Sequence, residues 1–334
     1  IGTSYFGCRD EEGRFCERRF AEKARQSSVK MIEVKLSQGA KPGHGGILPK
    51  EKITDEVAEI RGVAKGADVI SPPFHTAFHG PEGLLRFLDH LRELSGGKPV
   101  GFKLCVGAHS EIEELCMAMH DTDLRPDFIT VDGGEGGTGA APLEFANSMG
   151  SPLADALPVV DDLLTRHGLR DDVKIIASGR VLTAFDMVQR MAMGADLCAS
   201  ARGMMMALGC IQALRCNSNV CPVGVATQDE HLVAGLVVGH KRTRVASYQH
   251  ETVHTLMELC AAAGLRSPAE LTRFHVNRRV SPTETRTYAE IYGPGRMPDF
   301  PFELEDVDPE AIASRLRLVT DEAAGESTDA AASL

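Results

Sequence analysis

The sequence predicts an α/β fold of the (β/α)8 TIM-barrel class, apparently lacking its first two strands. Three observations carry that expectation. Strand-like and helix-like segments alternate from residue 31 to residue 202, which is the rhythm of parallel βα units. The strand segments are apolar enough for burial on both faces. Glycine-rich turns follow the strand ends, where ligands sit on the top face of a barrel. An open doubly wound sheet needs no missing strands and is the alternative. The barrel is preferred because the last two strands carry the phosphate-site pattern expected of strands 7 and 8.

Each element has its own signal. Residues 1–30 form a polar segment punctuated by glycine and charge, with Cys8 and Cys16 in no metal motif. Met31–Ser37 alternates like a strand and runs into the glycine loop Gln38–Gly46. A helix is expected over Thr54–Val63, and a strand over Asp68–Ser71 that stops at Pro72-Pro73. Pro81 opens a helix through Leu94, with Leu84, Leu85, Leu88 and Leu91 on one face. The pattern then repeats as strands at Pro99–Cys105, Asp127–Asp132, Val173–Ser178 and Asp196–Ser200. Helices are expected between and after them at Glu111–His120, Leu153–His167 and Thr183–Met193. These make six βα units within a domain spanning 31–230, which ends in a cysteine loop at 207–228. The chain continues into a helical extension over 231–320, with one long helix at Val238–Ala263 and turns and short helices beyond it. The last stretch, 321–334, is a low-complexity tail expected to be disordered.

Composition narrows the function. The net charge of −11 and an aromatic content of 5% argue against nucleic acid and anionic membranes as partners. No apolar run approaches the roughly 20 residues of a membrane span. Nine cysteines with no disulfide framework suggest a reducing, cytoplasmic setting and metal use.

Five features carry chemistry. Gly179-Arg180 and Ser200-Ala201-Arg202-Gly203 each close a strand and open a helix, where backbone N–H groups beside an arginine suit a phosphate. The run Gly133–Gly139 holds too many glycines for an ordinary turn, and lets a backbone press against a flat ligand. Lys103 lies among apolar strand residues, where an ammonium needs an anion or a polarised oxygen such as a flavin's N1–C2=O edge. Lys41 and His44 are expected in a loop placed to cover substrate, and His75 and His79 are acid–base candidates or structural histidines. Finally, Cys210, Cys216 and Cys221 occupy a helix end and a turn-rich loop closed by Pro222. Thiolates in that arrangement suit an iron–sulfur cluster, zinc or copper(I). Three thiolates fit a three-iron cluster, with zinc and plain core cysteines left open.

Taken together, Gly39–Gly46, Ile70–Pro73, Lys103-Leu104, Asp132–Ala140, Ala207–Ile211 and Cys216–Gln228 resemble the FMN-binding domain of glutamate synthase, in particular the shorter FMN-binding members of that family. The resemblance spans residue 31 to about 260. It implies FMN and a [3Fe–4S] cluster as cofactors on a (β/α)8 barrel. The implied reaction reduces 2-iminoglutarate, formed from 2-oxoglutarate and ammonia, to L-glutamate. Cys210, Cys216 and Cys221 would then hold the cluster, and Lys103 would meet the flavin pyrimidine edge. Gly136, Gly137 and Thr138 would lie near the ring system, Gly179, Arg180, Ala201 and Arg202 at the phosphate, and Lys41 near the substrate carboxylates. An electron-donor or glutaminase subunit is the implied partner, with homo-oligomers also compatible. His44 stands where the large enzymes carry Glu, and no glutaminase-like part precedes the barrel. Two alternatives stay open: an amine-transferring relative such as N-methylglutamate synthase, and a catalytically silent electron-transfer or scaffold subunit.

Overall fold

A computed structural model of the chain describes residues 1–137 and 141–297. The helices are α1 (Glu17–Ala24), α2 (Asp55–Arg61), α3 (Gly80–Ser95), α4 (His109–Thr122), α5 (Leu153–Arg166), α6 (Ala184–Ala192), α7 (Ala201–Leu208), α8 (Glu230–Val233), α9 (Val238–Ala262) and α10 (Tyr288–Tyr292). The strands are β1 (Ile32–Lys35), β2 (Ile47–Leu48), β3 (Val69–Ile70), β4 (Val100–Leu104), β5 (Phe128–Asp132), β6 (Lys174–Ser178), β7 (Leu197–Ala199), β8 (Asn277–Ser281) and β9 (Glu284–Thr287).

Five strands form one parallel sheet in the order β1-β4-β5-β6-β7. That order never reverses, so the sheet has no switch point of the doubly wound kind. Right-handed crossovers along a one-way progression place the helices on a single face, as in a barrel wall. Side-chain burial agrees. Val34, Phe102, Ile129, Val131 and Ile175 point to the helix side and merge with the leucines of α3 and α5 into one core. Helix α3 shows why the local sequence folds this way. Proline sits in its first turn, Leu84, Leu85, Leu88 and Leu91 are buried along one stripe, and Gly96 at φ +81° ends it.

The sheet holds one strand fewer than the six expected, and among the described residues it does not close. The apolar segment Asp68–Ser71 does yield β3, but β3 pairs antiparallel with β2, outside the main sheet. The glycine loop after β1 turns the chain back to permit this. A Cβ at Gly45 would stand 1.9 Å from the Ser71 carbonyl oxygen, so only glycine lets the two backbones approach.

The N-terminal segment is integrated with the domain: Tyr5, Cys8, Phe20 and Ala24 belong to the core. The Tyr5 hydroxyl accepts from the N–H groups of Thr76 and Ala77 at 3.2 and 3.1 Å. At the other end, α9 packs along α6 and α7. The extension beyond α9 is not purely helical, because β8 and β9 form an antiparallel hairpin. Arg273 anchors it, 1% exposed, against Asp161 and Asp162 of α5. No helix among the described residues is long and apolar enough to cross a membrane. The expected tail at 321–334 and the end of the extension from 298 lie outside the described residues.

Candidate active site

The face of the sheet turned away from the helices is polar, and strand register shows how it is assembled. Lys35 aligns with Lys103, Lys103 with Thr130, and Asp132 with Ser178. Because alternate residues share a face, Glu33, Lys35, Lys103, Thr130, Asp132 and Ser178 all stand on this side. Lys103 Nζ lies 3.7 Å from Glu33 Oε1, and the Thr130 hydroxyl donates to the same carboxylate at 2.7 Å. Lys103 thus has an acidic neighbour inside the protein, which the isolated strand pattern does not reveal. Lys35 donates to Gln38 Oε1 at 2.9 Å. Burial pushes its pKa down, and the Lys103 and Lys41 charges push it the same way.

Asp132 fixes the loop above this row. Its buried carboxylate accepts from the Gly39 N–H at 2.8 Å and from the Ser178 hydroxyl at 2.9 Å. One side chain therefore ties β5, β6 and the glycine loop together at the carboxyl ends of the strands. Lys41 donates to the Gly45 carbonyl within that loop at 3.3 Å, and burial lowers its pKa. Lys35, Lys41 and Lys103 are brought together. Lys41 and Lys103 were expected from the sequence; Lys35, Glu33 and Asp132 were not. The alternation in Met31–Ser37 was the available signal, since it sets Glu33 and Lys35 opposite Ile32 and Val34.

The glycines after β5 press against the protein's own backbone and side chains. A Cβ at Gly136 would stand 2.4 Å from Asp132 Oδ1, and one at Gly137 2.5 Å from the Ala40 Cβ. Gly137 also has φ +110°. Thr138 lies outside the described residues.

The two strand-to-helix turns differ from each other. After β6, Gly179 has φ +135° and fits against the Gly133 amide, while Arg180 adopts φ +46°. Arg180 lines a cleft of about 470 Å³ together with Glu135, Asn147, Asp186 and Arg190. Helix α6 begins only at Ala184, and its first N–H groups are closed by the Thr183–Asp186 capping box. After β7, Ala201 and Arg202 open α7 directly. The Ser200 hydroxyl turns away to the Val181 carbonyl at 2.7 Å, leaving that helix start without a side-chain cap. Arg202 reaches across to the Gly137 carbonyl at 3.2 Å.

The cysteine loop is stapled from a distance. Lys52 donates to the carbonyls of Cys216 and Ala226, and Asn219 holds Gln228 N–H at 2.8 Å. Gln212, Leu214 and Asn219 all have positive φ. Cys210 Sγ accepts from the Gln212 N–H at 3.4 Å. At Cys221 burial disfavours the thiolate, but N–H groups of Ala226, Val223, Val225 and Gly224 point at the sulfur and the net pKa shift is downward. Among the described residues no three His, Cys, Asp or Glu side chains group as a metal site, so Cys210, Cys216 and Cys221 are not drawn onto one point here.

The histidines are placed differently. His75 is buried, bonded to the Tyr5 hydroxyl at 3.1 Å and the Lys35 carbonyl at 2.9 Å. Burial holds its pKa down, and it serves as a structural clamp. His79 is exposed before α3, and His44 stands edge-on to Phe145.

Comparison with known proteins places this arrangement. The family described as a conserved region in glutamate synthase matches residues 2–266. The chain belongs to the glutamate synthase family. It is 44% identical to the glutamate synthase large subunit-like protein YerD of Bacillus subtilis over 83% of this chain and 52% of that protein. It is 38% identical to an archaeal glutamate synthase [NADPH] of Methanocaldococcus jannaschii over 71% of this chain and 46% of that protein. The chain spans about half the length of these relatives. A mutant flavocytochrome b2 with pyruvate bound shares 13% identity at a TM-score of 0.40, over 73% of this chain and 47% of that one, a likeness too loose to assign anything.

Proposed function

We propose that this domain binds FMN and reduces 2-iminoglutarate, formed from 2-oxoglutarate and ammonia, to L-glutamate. The observation that supports the reading is the polar row of Lys35, Lys103, Thr130 and Asp132 under the loop carrying Lys41, in a chain of this family. FMN, when bound, supplies the hydride that the imine carbon accepts. Lys35 and Lys103 on one face and Lys41 in the loop above it, set against the carboxylates of Glu33 and Asp132, leave positive charge in excess and favour an anion. Lys103 would face the electron-rich pyrimidine edge of the cofactor, and Lys41 would meet a substrate carboxylate.

The phosphate fits better at one turn than at the other. Helix α7 starts uncapped, so the amides at Ala201 and Arg202 have donors to offer. The capped start of α6 does not, which leaves Gly179 and Arg180 to contribute backbone shape and a guanidinium. Gly136 and Gly137 would approach the ring system through backbone, and Thr138 is assigned beside them on the family pattern alone.

For the [3Fe–4S] cluster the chemistry of the loop fits and the grouping of sulfurs does not. Backbone N–H groups aimed at Cys210 and Cys221 suit thiolate ligands, so we assign Cys210, Cys216 and Cys221 to the cluster on donor type and spacing. No step of the reaction is built on it. An electron-donor subunit and a source of ammonia complete the proposed system, in the cytoplasm.

Anaerobic purification followed by flavin release, iron analysis and low-temperature EPR tests the reading. FMN and about three irons per chain, with turnover on 2-oxoglutarate plus ammonia, are expected. A colourless chain with neither cofactor overturns it in favour of a silent subunit. Turnover with methylamine but not ammonia transfers it to the N-methylglutamate synthase type.

A further inference from the structure

Helix α9 carries a second, unrelated cluster. Within its 25 residues, the run His250-Glu251-Thr252-Val253-His254 places two histidines four apart, so both lie on one helix face. Their rings stand 6.3 Å apart and nearly parallel, at 15°. Both reach solvent, His250 at 64% and His254 at 28% side-chain exposure. Each ring turns its Nδ1 toward a carboxylate of the same helix. His250 Nδ1 lies 3.4 Å from Glu251 Oε1, and His254 Nδ1 lies 3.6 Å from Glu258 Oε2.

That arrangement has a chemical consequence. A carboxylate near Nδ1 favours the tautomer protonated there and leaves Nε2 as the lone-pair nitrogen, the orientation seen when imidazole binds a metal. The Glu251 contact is within hydrogen-bond distance, and Glu258 acts on His254 through its charge. Both rings belong to the same face of a regular helix. We propose that His250 and His254 chelate one borderline divalent cation of the Zn²⁺, Ni²⁺ or Cu²⁺ class through Nε2, with Glu251 and Glu258 as the carboxylates that orient them.

Imidazole nitrogen suits these ions, and Mg²⁺ and Ca²⁺ prefer oxygen. Bonds of about 2.0–2.1 Å to each nitrogen require the ring tips to close together, which rotation of the more exposed His250 allows. In zinc proteases the same five-residue string gains a third protein ligand and its Glu acts as the base. Among the described residues nothing joins the pair as a third ligand, and Glu251 is already turned to His250. With the ligands the described residues supply, water completes the coordination.

The full chain is titrated with Zn²⁺ by calorimetry and with Cu²⁺ by EPR, alongside His250→Ala, His254→Ala and Glu258→Gln. Wild-type protein is expected to show a Zn²⁺ site that either histidine variant weakens by about tenfold or more, and Glu258→Gln by a smaller factor. The Cu²⁺ spectrum should show nitrogen hyperfine structure in the wild type that either single variant reduces. Zinc held at the cysteine loop would be unaffected by the histidine changes, and circular dichroism verifies that α9 is intact in each variant. Unchanged Zn²⁺ stoichiometry and affinity in both histidine variants, or a Cu²⁺ spectrum without nitrogen coupling, would overturn the proposal.

Discussion

Two charged regions of this chain look alike in composition and differ in how completely they are satisfied. Behind α5, Asp161 binds Arg170 at 2.8 Å and Arg273 at 3.2 Å, and Arg170 also binds Asp196 at 2.9 Å. Asp161 and Arg273 are both nearly fully buried. On the inner face of the sheet, Lys103 has one acidic neighbour at 3.7 Å and stays partly exposed. The first region nearly closes on itself, with Arg273 Nε its one buried donor lacking a partner among the described residues, and links the C-terminal extension to the barrel wall. The second keeps a charged donor that reaches solvent. Charge paired within a buried network marks architecture, and charge left partly exposed above a sheet marks the place for a ligand.

The sharpest way to break that distinction is to cut both networks. Asp161→Ala takes one of two carboxylates from each of two guanidiniums, leaving Arg273 on Asp162 and Arg170 on Asp196. A charged hydrogen bond is worth about 1.5–3 kcal/mol, so urea unfolding should shift by that amount. A loss below about 1 kcal/mol would mean that the network is no more than surface decoration.

Lys103→Met should behave in the opposite manner. A partly exposed pair contributes about 0–1 kcal/mol to stability, so the unfolding midpoint should scarcely move. A charged hydrogen bond to a ligand is worth about 1.5–3 kcal/mol, so FMN binding, followed by flavin fluorescence, should weaken about ten- to hundredfold. If stability collapses while FMN binding holds, the two regions have been assigned the wrong way round.

How far the sequence announced these regions depends on the range of the signal. The βα rhythm is legible because β4 and β5 are mostly apolar and β-branched and α3 carries an unbroken leucine stripe. The segment at Asp68–Ser71 read as a sheet strand because its apolar content is the same whichever partner it takes. Its real partner is only Ile47-Leu48, brought close by Gly45. The β8–β9 hairpin was invisible, since Asn277-Arg278-Arg279 is exposed and shows no alternation of apolar residues. In the site, Lys103 and Lys41 stood out by type. Lys52 did not, because its role appears only when residues 164 positions apart meet. Arg273 reads as a surface residue until Asp161 and Asp162 are set beside it.

The two helix starts extend the comparison on a smaller scale. Thr183 accepts from the Asp186 N–H at 3.1 Å and completes a capping box. Thr183→Ala should cost about 1 kcal/mol in thermal or urea unfolding. Ser200 caps nothing on α7, so Ser200→Ala should cost less in stability, and phosphate added to the wild type should stabilise the chain through the open amides. Equal costs for the two substitutions would mean that α7 is capped in solution and would remove the basis for preferring it as the phosphate site.

The smallest effect distinguishes the cysteines. Burial pushes the Cys105 thiol up to about 11 and the Cys198 thiol up to about 12. At Cys221 burial acts in the same direction, yet the four backbone N–H groups outweigh it and the shift is downward. A lowered thiol pKa raises the thiolate fraction at a given pH, and the thiolate is the reacting form. At pH 8 the fraction is about one in a thousand for Cys105 and about one in ten thousand for Cys198. Cys221 should therefore be alkylated by iodoacetamide ahead of Cys105 and Cys198 when iron-free protein is mapped by mass spectrometry from pH 7 to 9, and its rate should level off at a lower pH than theirs. Iron-loaded protein should protect Cys210, Cys216 and Cys221 together while leaving Cys105 and Cys198 unchanged. Protection of Cys221 alone would break the triad, because a shared cluster has to shield all three sulfurs at once.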